Sequence, residues 1–139
     1  MTPQETVQEF VRALEAMDID RALSLADPNI VYENVGLPPI RGMRAFTKTL
    51  RMMEQRFTGF EVVMHHIAAN GPAVLTERTD ILHFLGFRLE IWVCGTFEVH
   101  DGKITLWKDY FDWAQLTGRL VKGIPGALVK NALRAIGRG

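Results

Sequence analysis

Three short stretches of this 139-residue chain place acidic, basic and hydrogen-bonding side chains two residues apart. On a β-strand that spacing puts side chains on one face. Tyr32 and Asn34 then point the same way, as do Arg78 and Asp80, with Leu82 following, and as do Trp107, Asp109 and Phe111. Carboxyl groups are general acids or bases, and the planar fork of an arginine can bond two of them while staying charged. Asp109 is bracketed by two large aromatics, and Lys108 falls on the opposite face. An acid in such surroundings is buried and paired, or catalytic, because burying a lone carboxylate costs several kcal/mol.

Pattern alone leaves other readings open. The even positions of 76–82 read Thr, Arg, Asp, Leu and the odd ones Glu, Thr, Ile, so neither face is cleanly apolar. An Arg–Asp pair two apart on a strand is more often a surface ion pair worth about 0–1 kcal/mol. Asp109 can equally cap a turn or pair with Lys48, and Tyr32 and Asn34 can be a sheet edge entering a Pro-rich loop.

Residues with these roles need strands to hold them. The pattern predicts helices first. Thr2 suits an N-cap, Pro3 the first helical position and Glu5 a capping box, with Val7, Phe10, Val11, Leu14 and Met17 recurring at helical spacing behind them. Asp20 is expected to cap a short helix over 21–26, ended by Asp27-Pro28. A strand at 30–34, a loop at Gly36-Leu37-Pro38-Pro39 and a helix over 42–56 follow. From Phe60 the period changes, and four strands are predicted at 60–69, 73–84, 88–100 and 103–112, the last two joined at Asp101-Gly102, a two-residue hairpin signal. A helical tail over 112–139 carries Lys122, Lys130, Arg134 and Arg138 beside Leu128, Val129, Leu133 and Ile136; packing on its own domain or on a dimer mate is favoured over membrane contact. Helices followed by a run of long strands mean an α+β fold in a single domain, 1–139, with room for one apolar cavity.

Composition narrows the function. Lys plus Arg and Asp plus Glu number 16 each, so there is no basic excess to hold nucleic acid. Zero net charge offers little resistance to self-association. A lone cysteine, Cys94, makes no internal disulfide, and neither a signal-like start nor an 18-residue apolar run occurs, so a cytoplasmic protein is expected. His65 and His66 face opposite ways on a strand, His83 and His100 are isolated, and no Gly-rich phosphate loop precedes a helix, so neither a metal nor another cofactor is expected. Cys94 lies in an apolar run and reads as a small core residue rather than a nucleophile.

The stretch 74–80 (Val-Leu-Thr-Glu-Arg-Thr-Asp), the stretch 101–112 (Asp-Gly-Lys-Ile-Thr-Leu-Trp-Lys-Asp-Tyr-Phe-Asp), and Val31-Tyr32-Glu33-Asn34 before Leu37-Pro38-Pro39 together resemble the limonene-1,2-epoxide hydrolase family, in order and at matching separations. The run 87–99, with Trp92-Val93-Cys94-Gly95, looks most like the mycobacterial-type branch. The resemblance implies an NTF2-like (SnoaL-like, cystatin-type) cone, a curved mixed sheet with helices at its mouth, usually a homodimer. It also implies a triad of Asp80, Arg78 and Asp109, with Tyr32 and Asn34 holding a water. Direct attack of that water on an epoxide needs no covalent intermediate, and attack by Asp109 itself is the competing mechanism. Asp109 would be the base, and Asp80, protonated at rest, the acid. Leu37, Leu82, Ile91, Val93 and Phe111 are candidates for the wall that receives a small apolar epoxide, although core packing suits each of them equally well. Rival readings are a non-catalytic binding or dimerisation module on the same cone, and a ketosteroid-isomerase-like enzyme.

Overall fold

A computed structural model describes residues 1–116. The expected tail beyond residue 116 lies outside the described residues. Helix α1 spans Pro3–Glu15, α2 Ile19–Ser24 and α3 Met43–Arg56. Six strands, β1 (Ala26–Asn34), β2 (Ile40–Arg41), β3 (Gly59–Asn70), β4 (Ala73–Phe84), β5 (Phe87–His100) and β6 (Lys103–Phe111), form one sheet in the order β2-β1-β6-β5-β4-β3. All neighbours run antiparallel except β1 and β6, which are parallel. The fold is α+β with a mixed sheet, as expected.

The start of α1 follows its sequence closely. The Glu5 amide donates to Thr2 Oγ1 at 3.1 Å and the Thr2 amide donates to Glu5 Oε1 at 3.0 Å, so two otherwise orphaned donors are satisfied reciprocally. Behind this cap Val7, Phe10, Val11 and Leu14 are buried. They lay the helix over β3, β4, β5 and β6.

Three expectations about the next segment are corrected. Asp18, not Asp20, caps α2: its Oδ1 accepts from the Arg21 amide at 3.1 Å. Met17 adopts φ 56°, which turns the chain sharply enough after α1 for helix to restart two residues early. Asp20 instead pairs with Arg51 of α3 on the surface. The helix ends at Ser24, and β1 begins at Ala26 rather than at Ile30. Ala26 pairs with Ile104, and the ladder shifts register before Val31, so Pro28 sits in an irregular stretch where its missing N–H is tolerated. Strand β2 was not foreseen, since two residues carry no periodicity. It pairs Ile40 with Tyr32 and Arg41 with Val31.

Both hairpins beside β5 use two-residue turns with positive φ at each central position: Leu85 and Gly86 (49° and 79°), and Asp101 and Gly102 (51° and 72°). Those values match the type I′ geometry that suits sheet twist. Strand β5 therefore starts at Phe87, one residue before its expected start.

The core between helices and sheet is aromatic. Trp107 of β6 stacks on Tyr32 at 4.1 Å between ring centroids and on Phe97 at 5.8 Å, and Phe10 meets it edge-on at 5.2 Å. Phe46 and Leu50 of α3 close the other side. Such ring pairs contribute on the order of 0.5–1.5 kcal/mol each beyond area burial. Thr2→Ala should cost about 1 kcal/mol and lower the thermal midpoint by about 3 °C, because it removes the cap without touching this cluster. An unchanged midpoint by differential scanning calorimetry would show that α1 does not depend on its capping box.

Candidate active site

Strand registers bring the polar residues into one layer. Thr76 of β4 faces Gly95 of β5, Gly95 faces Asp109 of β6, and Asp109 faces Asn34 of β1. The neighbouring row holds Arg78, Val93 and Phe111, and the next pairs Asp80 with Ile91. The even face of β4 is thus the inner one. This disposes of the surface ion pair: Arg78 is 2% exposed, Asp109 2% and Asp80 8%.

The guanidinium of Arg78 joins both carboxyls. Its Nε donates to Asp80 Oδ1 at 2.8 Å, and its Nη2 donates to Asp80 Oδ2 at 3.2 Å and to Asp109 Oδ2 at 2.7 Å. Its Nη1 donates to Thr76 Oγ1 at 3.0 Å. Below it lies the Phe97 ring, 6.0 Å from guanidinium carbon to centroid. The other oxygen of Asp109 accepts from Trp107 Nε1 at 2.9 Å. Beside the pair, the Tyr32 hydroxyl donates to Asn34 Oδ1 at 3.4 Å. Every fully buried side-chain polar atom among the described residues has a partner.

Two carboxyls against one guanidinium leave an excess negative charge if both are ionised, and burial penalises that state. Burial draws the Asp109 carboxyl up to about 6, against the opposing pull of Arg78. Asp80 is raised as well, again by burial and against Arg78. The pair titrates as a unit and tends to retain one proton. Asp80 receives two of the guanidinium bonds and Asp109 one, with the Trp107 N–H as its second donor. Without substrate the cation thus makes more bonds to Asp80 than to Asp109. Tyr32 is raised too, by burial and then by the charge of Asp109, so its phenol keeps its proton and remains a donor. Cys94 points away from this layer, and burial followed by the charge of Glu77 raises its thiol.

A cavity of about 280 Å³ opens onto the layer. Tyr32, Asn34, Asp80 and Asp109 line it, and so do four of the five predicted wall residues, Leu37, Leu82, Ile91 and Phe111. Val93 does not. It is fully buried beside Arg78, its partner across the ladder, in the row that also holds Phe111. The wall also takes Thr49, Met53 and Phe57 from α3 and its C-terminal end, positions for which sequence reasoning offered no site role. Sequence reasoning noticed Thr76 and Trp107 as face-mates of Arg78 and Asp109 without giving them a role. Gly95 carried no signal, because only the register across β4, β5 and β6 shows what lies over it.

Comparison with known proteins agrees with this geometry. Residues 1–122 match the family model of the limonene-1,2-epoxide hydrolase catalytic domain. The chain is 48% identical over 129 residues to the epoxide hydrolase EphG of Mycobacterium tuberculosis (strain ATCC 25618 / H37Rv), covering 93% of this chain and 85% of that protein. The solved structure of an M. tuberculosis LEH-like epoxide hydrolase superposes with a TM-score of 0.82 at 45% identity, covering 92% of this chain and 96% of the other. An NTF2-like protein from Cytophaga hutchinsonii, 21% identical, superposes with a TM-score of 0.69 over 84% of this chain and 96% of its own, and shares the fold. The chain belongs to the limonene-1,2-epoxide hydrolase family, and it is an epoxide hydrolase on an NTF2-like fold.

Proposed function

We propose that the chain adds water directly to an apolar epoxide, of terpene, lipid or sterol type, to give a vicinal diol in one acid/base step without a cofactor. The observation that carries this reading is a single guanidinium bonded to two buried carboxyls beside an apolar cavity. A site built only to shelter a ligand gains nothing from a buried dyad that resists losing its last proton. An isomerase acting at a steroid carbonyl needs a free base and a separate donor, which the shared guanidinium does not provide.

The chemistry requires a base for water, an acid for the epoxide oxygen, and the two on opposite sides of the ring. Asp109 is the base. It faces Asn34 across the ladder, and its charge acts on Tyr32 more strongly than that of Asp80 does. A water beside Asp109 can therefore be held by the phenol and the amide. Asp80, across the guanidinium and also on the cavity wall, is the acid. An epoxide oxygen placed against Asp80 favours the protonated form there, since only that form can donate. Arg78 then shifts its support to Asp109, and the triad stays neutral throughout. Water attacks the ring carbon, the carbon–oxygen bond opens, Asp109 takes the water proton, and Asp80 gives its own to the alkoxide.

Heavy-oxygen water in a single turnover should place its label in the diol and none in Asp109, as mass spectrometry of product and peptides reads out. Label in Asp109 would mean that the carboxylate attacks the ring instead. Asp80→Asn should lose about 10²- to 10⁴-fold in turnover while still binding an epoxide or amide analogue. Undiminished diol formation in that variant overturns the acid assignment.

The pH profile follows from the shifts. Below about 6 Asp109 is protonated and no base remains, so kcat/KM should rise as pH climbs through that value. It should fall again where the dyad sheds its last proton. Trp107→Phe removes a donor to ionised Asp109, raises its pKa and moves the rising limb to higher pH. A flat profile between about pH 5 and 9 contradicts the assignment.

The chain acts as a homodimer in this reading, in the cytoplasm, with a second copy on the outer face of the sheet. Support comes from Val63, Leu75, Trp92 and Tyr110, large apolar side chains exposed on the face that, among the described residues, carries neither helices nor the cavity. Sedimentation equilibrium should give twice the chain mass, and Trp92→Glu should give the monomer. A monomeric wild-type protein at micromolar concentration overturns the pairing.

A further inference from the structure

The guanidinium of Arg78, which reaches both carboxyls, lies close against β5 at Gly95, where there is no side chain. A Cβ built on Gly95 would stand 2.3 Å from Arg78 Nη1, 2.6 Å from Asp109 Oδ1 and 3.0 Å from Thr76 Oγ1. The backbone of Gly95 is otherwise unremarkable, without the positive φ found at the turn glycines, so space rather than conformation is what this position requires. Three groups of the catalytic layer thus converge on one missing methyl.

Thr76 closes the same layer from β4. Its hydroxyl has one proton, and that proton is committed to the Gly95 carbonyl at 3.1 Å. The oxygen therefore presents lone pairs to Arg78 Nη1, which donates to it at 3.0 Å. Thr76 is buried, and this contact occupies the one guanidinium nitrogen that meets neither carboxyl. Arg78 is thereby pinned in rotation: Nη1 on Thr76 forces the Nε and Nη2 edge toward Asp80 and the remaining Nη2 direction toward Asp109.

We propose that Thr76 and Gly95 are positioning residues of the reaction, which fix the plane and rotation of the Arg78 guanidinium so that one nitrogen serves both the acid and the base. This rests on the reading of Arg78, Asp80 and Asp109 as the catalytic triad. Neither residue lines the cavity; Thr76 acts through Arg78, and Gly95 leaves room for both Arg78 and Asp109. Without the hydroxyl, a buried Nη1 has no acceptor, and the guanidinium is free to turn in search of one. Its bond to Asp109 then lengthens, which weakens the support of the ionised base.

The test uses Thr76→Val, which keeps the shape and loses the acceptor, Thr76→Ser, which keeps the acceptor, and Gly95→Ala, each assayed on limonene-1,2-epoxide beside Asp109→Asn. Thr76→Val should lower kcat by about 30-fold or more, with KM within about threefold, and should move the rising limb of the pH profile upward. Thr76→Ser should restore at least about a third of kcat and the original limb. Gly95→Ala should lose about 100-fold or fail to fold, and the threonine pair decides the matter in either case. Wild-type turnover and an unmoved limb in Thr76→Val, with Asp109→Asn inactive, overturn this inference alone. Equal losses in the serine and valine variants, matched by equal drops in thermal midpoint, reduce Thr76 to packing and overturn it as well. Full activity in Asp109→Asn removes the triad reading, and this inference with it.

Discussion

A cation enclosed between two acids with almost no water around it is the constraint to which the rest of this molecule answers. Taking three ionisable groups out of solvent costs several kcal/mol each, and their mutual attraction offsets that cost only with good geometry and no donor left over. Arg78 meets the condition with Asp80, Asp109 and Thr76 as acceptors and the Phe97 ring beneath. Lysine could not take its place, because a point charge on a flexible stem lacks the fork that serves three partners at once. The excess carboxyl is dealt with by protonation, and an acid and a base come to coexist in one layer.

The layer is held by register more than by any single contact. A slip of one residue in β4 would turn Arg78 and Asp80 outward and bring Glu77 and Thr79 in. Two devices guard against this. The hairpins on either side of β5 are tight, and each allows little freedom of pairing. The aromatic cluster of Phe10, Phe46, Phe97, Trp107 and Tyr32 packs closely on the inner face, and a slipped register would break it up. Trp107 and Tyr32 belong at once to that cluster and to the site, so packing and chemistry share side chains.

Much of this could be read from the sequence because strand periodicity and short motifs are local. The capping box, the Asp101-Gly102 turn, the long strands and the face-sharing of Arg78 with Asp80 all follow from spacing within a few residues. What stayed hidden depended on pairing between distant segments. The inward direction of β4 was undecidable while its two faces read almost alike. Val93 shares the inner face without lining the cavity, because alternation gives a side but not a depth. The cap of α2 was set by a left-handed Met17, which propensity disfavours and the tertiary turn imposes. The cavity face of α3 was invisible for the same reason, since Thr49 meets the pocket only once the helix is docked.

The parallel pairing of β1 with β6 ties the beginning of the sheet to its end in sequence. Asn34 and Tyr32 are made early during synthesis, whereas Trp107 and Asp109 follow only after every other strand has emerged. A chain that ends before β6 lacks both Trp107 and Asp109 and so cannot set them beside Tyr32 and Asn34. Closing so long a loop carries an entropic cost that local contacts do not. The candidate site is therefore complete only in a chain that has paired β1 with β6.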